Sequence, residues 1–407
     1  MSLRLAFGLT FVVGTVSLAA CGTESSTFPE NSSSSGGNGS SSSGTGIGTS
    51  GGSDAGVLEE GQFAKCAEAR DAAKRLPLHL VLLLDRSSSM CCYDEQCQRV
   101  NGQEPHRDCN NPASRWAVTQ SALASFFSSG ETEGITLSLL PFPKRPNAPG
   151  DLRTQCLADY SEEAVFQERA LPFDITGDLD AAKPASAGWV TPTTPAMQGA
   201  IEFARELKQS VPAQDTVAIL FATDGQPKDC NSTFDPEFTQ IDGDIGPAST
   251  AAAAAKQSHG IATYVIGLDD PNENLRPNLE QLATAAGTAP PALISLQDPN
   301  AAANQLKEAL NAVRGKALGC ELIVPAAPEG KTLDPKKVNV VFIPSSGESR
   351  ILPYSDDCAD SNGWYYDNPS EPTRITLCAA SCTLAQDDPE GRLEVVLGCE
   401  TQGEPVN

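Results

Sequence analysis

Residues 79–85 read His-Leu-Val-Leu-Leu-Leu-Asp, an apolar run with no break between the His and the Asp. A strand with one face in water alternates apolar and polar side chains. An unbroken run suits a central strand covered on both faces, the usual state of strands in a parallel sheet packed between helices. Further strand-like runs lie at 135–142, 215–224, 261–270 and 292–296. Residues 164–173 form a more polar run, suited to a sheet edge. Amphipathic segments at 114–129, 196–209, 250–259, 278–287 and 303–318 alternate with these runs and read as helices, with Gly260 placed as a C-terminal cap. Such alternation predicts an α/β domain over residues 62–318, with a doubly wound, mostly parallel sheet. Ligand sites in these sheets lie beyond the carboxyl ends of the strands.

The pattern changes after residue 318. Short strand-like runs at 320–325, 338–344, 350–354, 373–378 and 392–399 are separated by Pro, Gly, Asp and Asn turns. Residues 319–407 therefore read as a small, disulfide-rich all-β domain. The Gly363-Trp364-Tyr365-Tyr366 cluster reads as its core.

The amino-terminal residues do not read as fold. Arg4 precedes an apolar run from Leu5 to Leu18 that Gly8, Gly14 and Thr15 interrupt. It is too short for a stable membrane span and reads as a signal peptide over 1–20. The run ends in Leu18-Ala19-Ala20-Cys21, which resembles the bacterial lipoprotein cleavage box. That resemblance implies lipidation of Cys21 and, with Gly22 after it, the outer membrane of a Gram-negative cell. Residues 21–61 then form a Ser/Gly tether that lacks the apolar area to offset its ordering. Its reach is about 30 Å.

Charge narrows the partners. The chain carries 28 Lys and Arg against 52 Asp and Glu, a net charge of −24. No basic patch offers a surface to phosphates, which excludes nucleic acid, and an anionic lipid surface would repel the chain. Contact with a membrane is expected through the lipid anchor alone. The 13 cysteines against 3 histidines point to disulfides in an oxidising compartment.

Three motifs fall where the strands end. Asp85-Arg86-Ser87-Ser88-Ser89 follows the first central strand, Thr191-Pro192-Thr193 precedes a helix, and Thr223-Asp224-Gly225 follows the 215–224 strand. Each alone reads equally as a helix cap or a turn. Together and in this order they resemble the metal-ion-dependent adhesion site (MIDAS) of the von Willebrand factor A (VWA) family, over roughly residues 76–317. The resemblance implies a Rossmann-like fold and a divalent cation held by Asp85, Ser87, Ser89, Thr191 and Asp224. Mg²⁺ suits neutral hydroxyls plus two carboxylates, with Mn²⁺ or Ca²⁺ as substitutes. It also implies a protein partner that offers an acidic side chain to the cation.

The sequence departs from the family pattern twice. An insert carrying Cys91, Cys92, Cys97 and Cys109 separates the first motif from its helix. It either sets partner choice or covers the metal. Trp189 stands where a Gly is common, and either forms a hydrophobic rim or packs inward.

No G-x-S-x-G, H-E-x-x-H, phosphate loop or G-x-G-x-x-G is present. His79, at the start of the first central strand, and His259, before the 261–270 strand, are placed on the face opposite the motifs. The expectation is a binding or adhesion lipoprotein and not an enzyme, with a structural envelope subunit as the alternative. Reserving Cys21 for lipid leaves twelve cysteines for six bridges. Cys91, Cys92, Cys97, Cys109, Cys156 and Cys230 follow strands on the motif face. Cys66, Cys320, Cys358, Cys378, Cys382 and Cys399 remain, so Cys66 is expected to bridge into the second domain, with Cys320 the leading partner.

Overall fold

The computed structural model describes residues 67, 69–74, 76–94, 97, 106–146, 151–230, 240–269, 275–295, 298–317, 319–359, 361–388 and 391–403. All of them fall within the compact unit Asp54–Asn407. The expected signal peptide, the tether, Cys21 and Cys66 lie outside the described residues.

The chain begins with strands β1 (Ala69–Ala72) and β2 (Leu78–Asp85), then helix α1 (Arg115–Phe127) and β3 (Ile135–Phe142). Short helices α2 (Leu152–Cys156) and α3 (Thr176–Ala182) flank β4 (Phe166–Ala170). Next come α4 (Thr193–Ser210), β5 (Thr216–Thr223), a ribbon of β6 (Lys228–Cys230) and β7 (Gln240–Asp242), and α5 (Gly246–His259). The α/β part closes with β8 (Ala262–Asp269), α6 (Arg276–Ala285), β9 (Ala292–Ser295) and α7 (Pro299–Ala317).

Six of these strands form one sheet in the order β4-β3-β2-β5-β8-β9. All neighbours are parallel except β4, the polar edge strand, which runs antiparallel to β3. All eight residues of β2 are buried. Its alternation divides the core into two layers. Leu78, Leu80, Leu82 and Leu84 pack with Trp116, Leu123, Leu306 and Leu310 of α1 and α7. Val81 and Leu83 pack on the other face with Met197, Phe203, Leu279 and Leu282 of α4 and α6. Each such side chain contributes about 1.5–3 kcal/mol when fully buried. Gly260 caps α5 in the left-handed region, at φ 69°. The strand order turns back between β2 and β5, so the chain leaves these two strands in opposite directions. In doubly wound sheets, ligands bind at the carboxyl ends of the strands that flank such a point.

The remaining strands are β10 (Glu321–Ile323), β11 (Val338–Ile343), β12 (Arg350–Leu352), β13 (Trp364–Tyr366), β14 (Arg374–Leu377) and β15 (Arg392–Leu397). They form two antiparallel sheets, β1-β15-β11-β12 and β10-β14-β13. Trp364 is wholly buried, packs edge-on to Tyr354 and Tyr366, and donates its indole N–H to the Leu352 carbonyl at 2.9 Å. Two features differ from the strand pattern. β1 lies in the 62–318 range yet pairs with β15, Ala69 opposite Leu397. Helix α8 (Ala379–Asp387) sits among the strands and buries Ser381, Cys382 and Ala385. Gln386 of α8 reaches the Lys316 carbonyl of α7 at 3.3 Å, which joins the two parts.

Four bridges are described: Cys91–Cys109, Cys92–Cys97, Cys320–Cys382 and Cys358–Cys378. The expected Cys66–Cys320 bridge is therefore corrected. Helix α8, unseen in the strand pattern, carries Cys382 onto Cys320. Cys156 and Cys399 are also disulfide-bonded, each to a cysteine outside the described residues. The side chain of Cys230 is among those outside. Ala67 packs beside Cys399. Non-reducing peptide mapping is expected to join Cys399 to Cys66 and Cys156 to Cys230. Recovery of Cys66 linked to Cys156 would contradict this pairing.

Candidate metal centre

Asp85 is the last residue of β2 and is wholly buried. Its Oδ1 accepts the Ser87 N–H at 2.7 Å, and its Oδ2 accepts the Thr223 hydroxyl at 2.5 Å. The first bond turns the chain sharply as it leaves the strand, into a short 3-10 turn over Ser88–Cys91. The second ties the ends of β2 and β5 together. The turn brings the Ser87 and Ser89 hydroxyl oxygens to 2.9 Å. Ser89 donates to Asp224 Oδ1, also at 2.9 Å. Asp224 follows β5 directly and is wholly buried.

Thr191 comes from the loop before α4. Its carbonyl accepts the N–H groups of Thr193 and Lys228, both at 2.8 Å. Its hydroxyl lies against Gly225. A Cβ at Gly225 would stand 3.2 Å from Thr191 Oγ1 and 3.5 Å from Ser89 Oγ. A side chain there would crowd the Thr191 hydroxyl. The structure thus brings Asp85, Ser87, Ser89, Thr191 and Asp224 together at the carboxyl ends of β2 and β5.

The donor set is all oxygen: three hydroxyls and two carboxylates. Among the described residues, no three His, Cys, Asp or Glu side chains cluster to hold a metal. A cation here would depend on the hydroxyls. In an octahedron with metal–oxygen distances of 2.0–2.1 Å, neighbouring oxygens stand about 3 Å apart. The Ser87–Ser89 and Ser89–Asp224 spacings match that edge. The set fits a small, hard divalent cation.

Two further residues build the site without a motif to announce them, and one motif residue, Thr223, has a supporting role. Arg115, the first residue of α1, is buried and donates to Asp224 Oδ2 at 2.7 Å. A cation in the first turn of a helix opposes the helix dipole. That mismatch is the sequence signal that marks it. Gln155 is wholly buried. It donates to the Gly188 carbonyl at 3.0 Å and accepts the Val190 N–H at 2.8 Å, which holds the strand of chain leading to Thr191. Thr223 orients Asp85 as described. The buried charges of Asp85, Asp224 and Arg115 sum to one negative charge, so a divalent cation would leave the site with one net positive charge.

The Cys-rich insert braces the turn. The Cys92 N–H donates to the Ser89 carbonyl at 2.9 Å, and the Cys92 carbonyl accepts the Arg115 N–H at 2.9 Å. The Cys91–Cys109 and Cys92–Cys97 bridges hold both residues in place. Trp189 is half-buried. Its carbonyl accepts the Ser88 N–H and its own N–H donates to Ser88 Oγ, both at 3.0 Å. His79 lies near the opposite end of β2, within reach of Asp215 at 3.2 Å. His106 pairs with Asp94 in the insert.

No family model matches the chain, and no curated protein is similar to it. Solved structures do resemble it. Proximal thread matrix protein 1 of the mussel byssus is 14% identical, with TM-score 0.37, over 63% of this chain and 51% of that one. The pilus adhesin SpaC of Lactobacillus rhamnosus GG is 13% identical, with TM-score 0.40, over 80% of this chain and 40% of that one. The PilB minor pilin of Streptococcus sanguinis is 13% identical, with TM-score 0.37, over 60% of this chain and 62% of that one. The mussel protein has also been solved with zinc in its MIDAS motif. This chain therefore spans between 40% and 62% of the length of these proteins. Likeness of this degree is distant, and what the site does rests on this chain's own residues.

Burial, and then the Asp224 carboxylate, push Asp85 from its ordinary 3.8 up to about 7; hydrogen bonds from Thr223 and Ser87 pull the other way. With a raised folded value, this group's contribution to stability is full below about pH 4 and is lost as pH rises through about 7. In EDTA, Asp85→Asn should melt near wild type at pH 4 and several degrees above it at pH 8. A melting difference that is the same at both pH values would show that the carboxylate is not held protonated by burial.

Proposed function

We propose that this protein is a cell-envelope binding lipoprotein of VWA type, which grips an acidic side chain of a protein partner through a divalent cation. One observation carries the reading: two carboxylates, three hydroxyls and one buried guanidinium converge at the carboxyl ends of β2 and β5, with oxygen spacings of 2.9 Å and one net negative charge. The oxygen set favours Mg²⁺, with Mn²⁺ or Ca²⁺ as substitutes. When bound, a cation would supply a positive centre that attracts an outside carboxylate. Asp85, Ser87, Ser89, Thr191 and Asp224 would hold it, and Arg115 would limit the negative charge of the cradle.

A binding role is favoured over catalysis because, among the described residues, no histidine stands at the site. His79 is near the far end of β2, His259 ends α5, and His106 is engaged by Asp94 in the insert. The signal peptide and Cys21 motif support an anchor in the outer membrane. Among the described residues, no helix is long and apolar enough to cross a membrane.

The ectodomain should take up one Mg²⁺ or Mn²⁺ in calorimetric titration, and Asp85→Ala or Asp224→Ala should reduce the affinity at least a hundredfold. Equal uptake by wild type and both variants would remove the assignment. Long-range repulsion also sets a salt response. An acidic partner approaching a chain of net charge −24 should associate faster as salt rises to moderate levels. A steep fall in association rate in stopped flow would instead indicate a basic partner surface.

A further inference from the structure

Two arginines, Arg86 and Arg145, stand together beside the candidate metal centre. Arg86 follows Asp85 and is only 7% exposed. Its Nε donates to the Pro143 carbonyl at 2.9 Å, and its guanidinium stands 5.3 Å from the centre of the Trp189 ring. Arg145 is exposed. Its Nη2 donates to the Ala181 carbonyl at 3.0 Å, and its guanidinium stands 5.8 Å from the same ring. Among the described residues, neither guanidinium makes an ion pair. Glu163, an acidic side chain that acts on Arg86, is paired with Lys144.

This placement is costly for the protein alone. Two like charges share one aromatic ring, one of them largely out of water, in a chain with 52 acidic residues to choose from. Trp189 is fixed against Ser88, between the two metal-site serines, so the pair sits directly beside the cation cradle. A planar guanidinium fork suits a carboxylate.

We infer that Arg86, Arg145 and Trp189 form a second carboxylate anchor, so that the partner presents two acidic side chains, one to the cation and one to this rim. The inference rests on the metal-bridged reading proposed above. A peptide is favoured over a sulfated polysaccharide because the anchor is a single small cationic spot on a strongly acidic chain, with no basic track for a polyanion to follow.

Two probes test it: N-acetylated, C-amidated peptides Gly-Glu-Gly-Gly-Gly and Gly-Glu-Gly-Glu-Gly, titrated into the ectodomain with Mg²⁺. The two-carboxylate peptide should bind about tenfold more tightly, a difference of roughly 1.4 kcal/mol. Arg145→Gln, at an exposed position, should erase that gain and leave Mg²⁺ uptake and the affinity for the one-carboxylate peptide unchanged. Trp189→Leu should shrink the gain in the same way. Equal affinities in wild type, or a gain that survives Arg145→Gln, would overturn the anchor. So would tight heparin binding that Arg145→Gln abolishes while the peptides go undistinguished. If Mg²⁺ itself fails to bind, the cation site falls and the anchor with it. If Mg²⁺ binds and the peptides are not distinguished, the anchor alone falls.

Discussion

Asp85 ends a strand with no exposed residue and carries its carboxylate into the interior of the molecule. A charge there is expensive unless it is hydrogen-bonded or paired. The Ser87 N–H and the Thr223 hydroxyl meet it from two sides. Those two bonds bend the chain into the serine turn and tie β2 to β5 at the point where the sheet order turns back. The positions of Ser87 and Ser89 follow from the first bond, and that of Asp224 from the second. Asp224 would add a second buried negative charge, and Arg115 offsets it. A cation at these strand ends would complete the balance. The site is thus a fold constraint and a binding feature at once.

The insert between β2 and α1 extends this frame. Its two disulfides tie Cys91 and Cys92 to later parts of the insert, while backbone hydrogen bonds tie Cys92 to Ser89 and to Arg115. Two of the residues that shape the cradle are therefore braced from outside the sheet. On the other flank, Gln155 performs the matching task for the loop before Thr191. Rigid support of this kind keeps a first layer of ligands in place before any ion arrives. It also fits a protein that works outside the cytoplasm, where bridges persist.

Charge is distributed unevenly. The chain as a whole is strongly acidic, yet Arg86 and Arg145 gather on the Trp189 ring beside the serine turn. A local positive rim on an acidic body repels anionic partners at a distance and rewards them only on correct contact. Such a surface favours selectivity over fast capture.

The alternation of apolar runs was enough to place the parallel sheet, because a strand covered on both faces has only one compositional solution. Order and spacing of three short motifs also grouped Asp85, Ser87, Ser89, Thr191 and Asp224 as a candidate cation site, since loops at one end of a parallel sheet lie close together. Residues whose roles depend on distant partners left little trace. Arg115 is known as the partner of Asp224 only once α1 is laid against the end of β5. Gln155 matters because its amide spans Gly188 and Val190, and nothing local requires it. Strand β1 joins β15 across nearly the whole chain, and α8 has no strong amphipathic stripe to declare it. Helix α8 in turn decided that Cys320 pairs with Cys382. Local periodicity determines which segments become strands and helices. Which side chains share a buried charge, a bridge or a hydrogen bond is decided by contacts between segments far apart in sequence, and only the tertiary structure holds those.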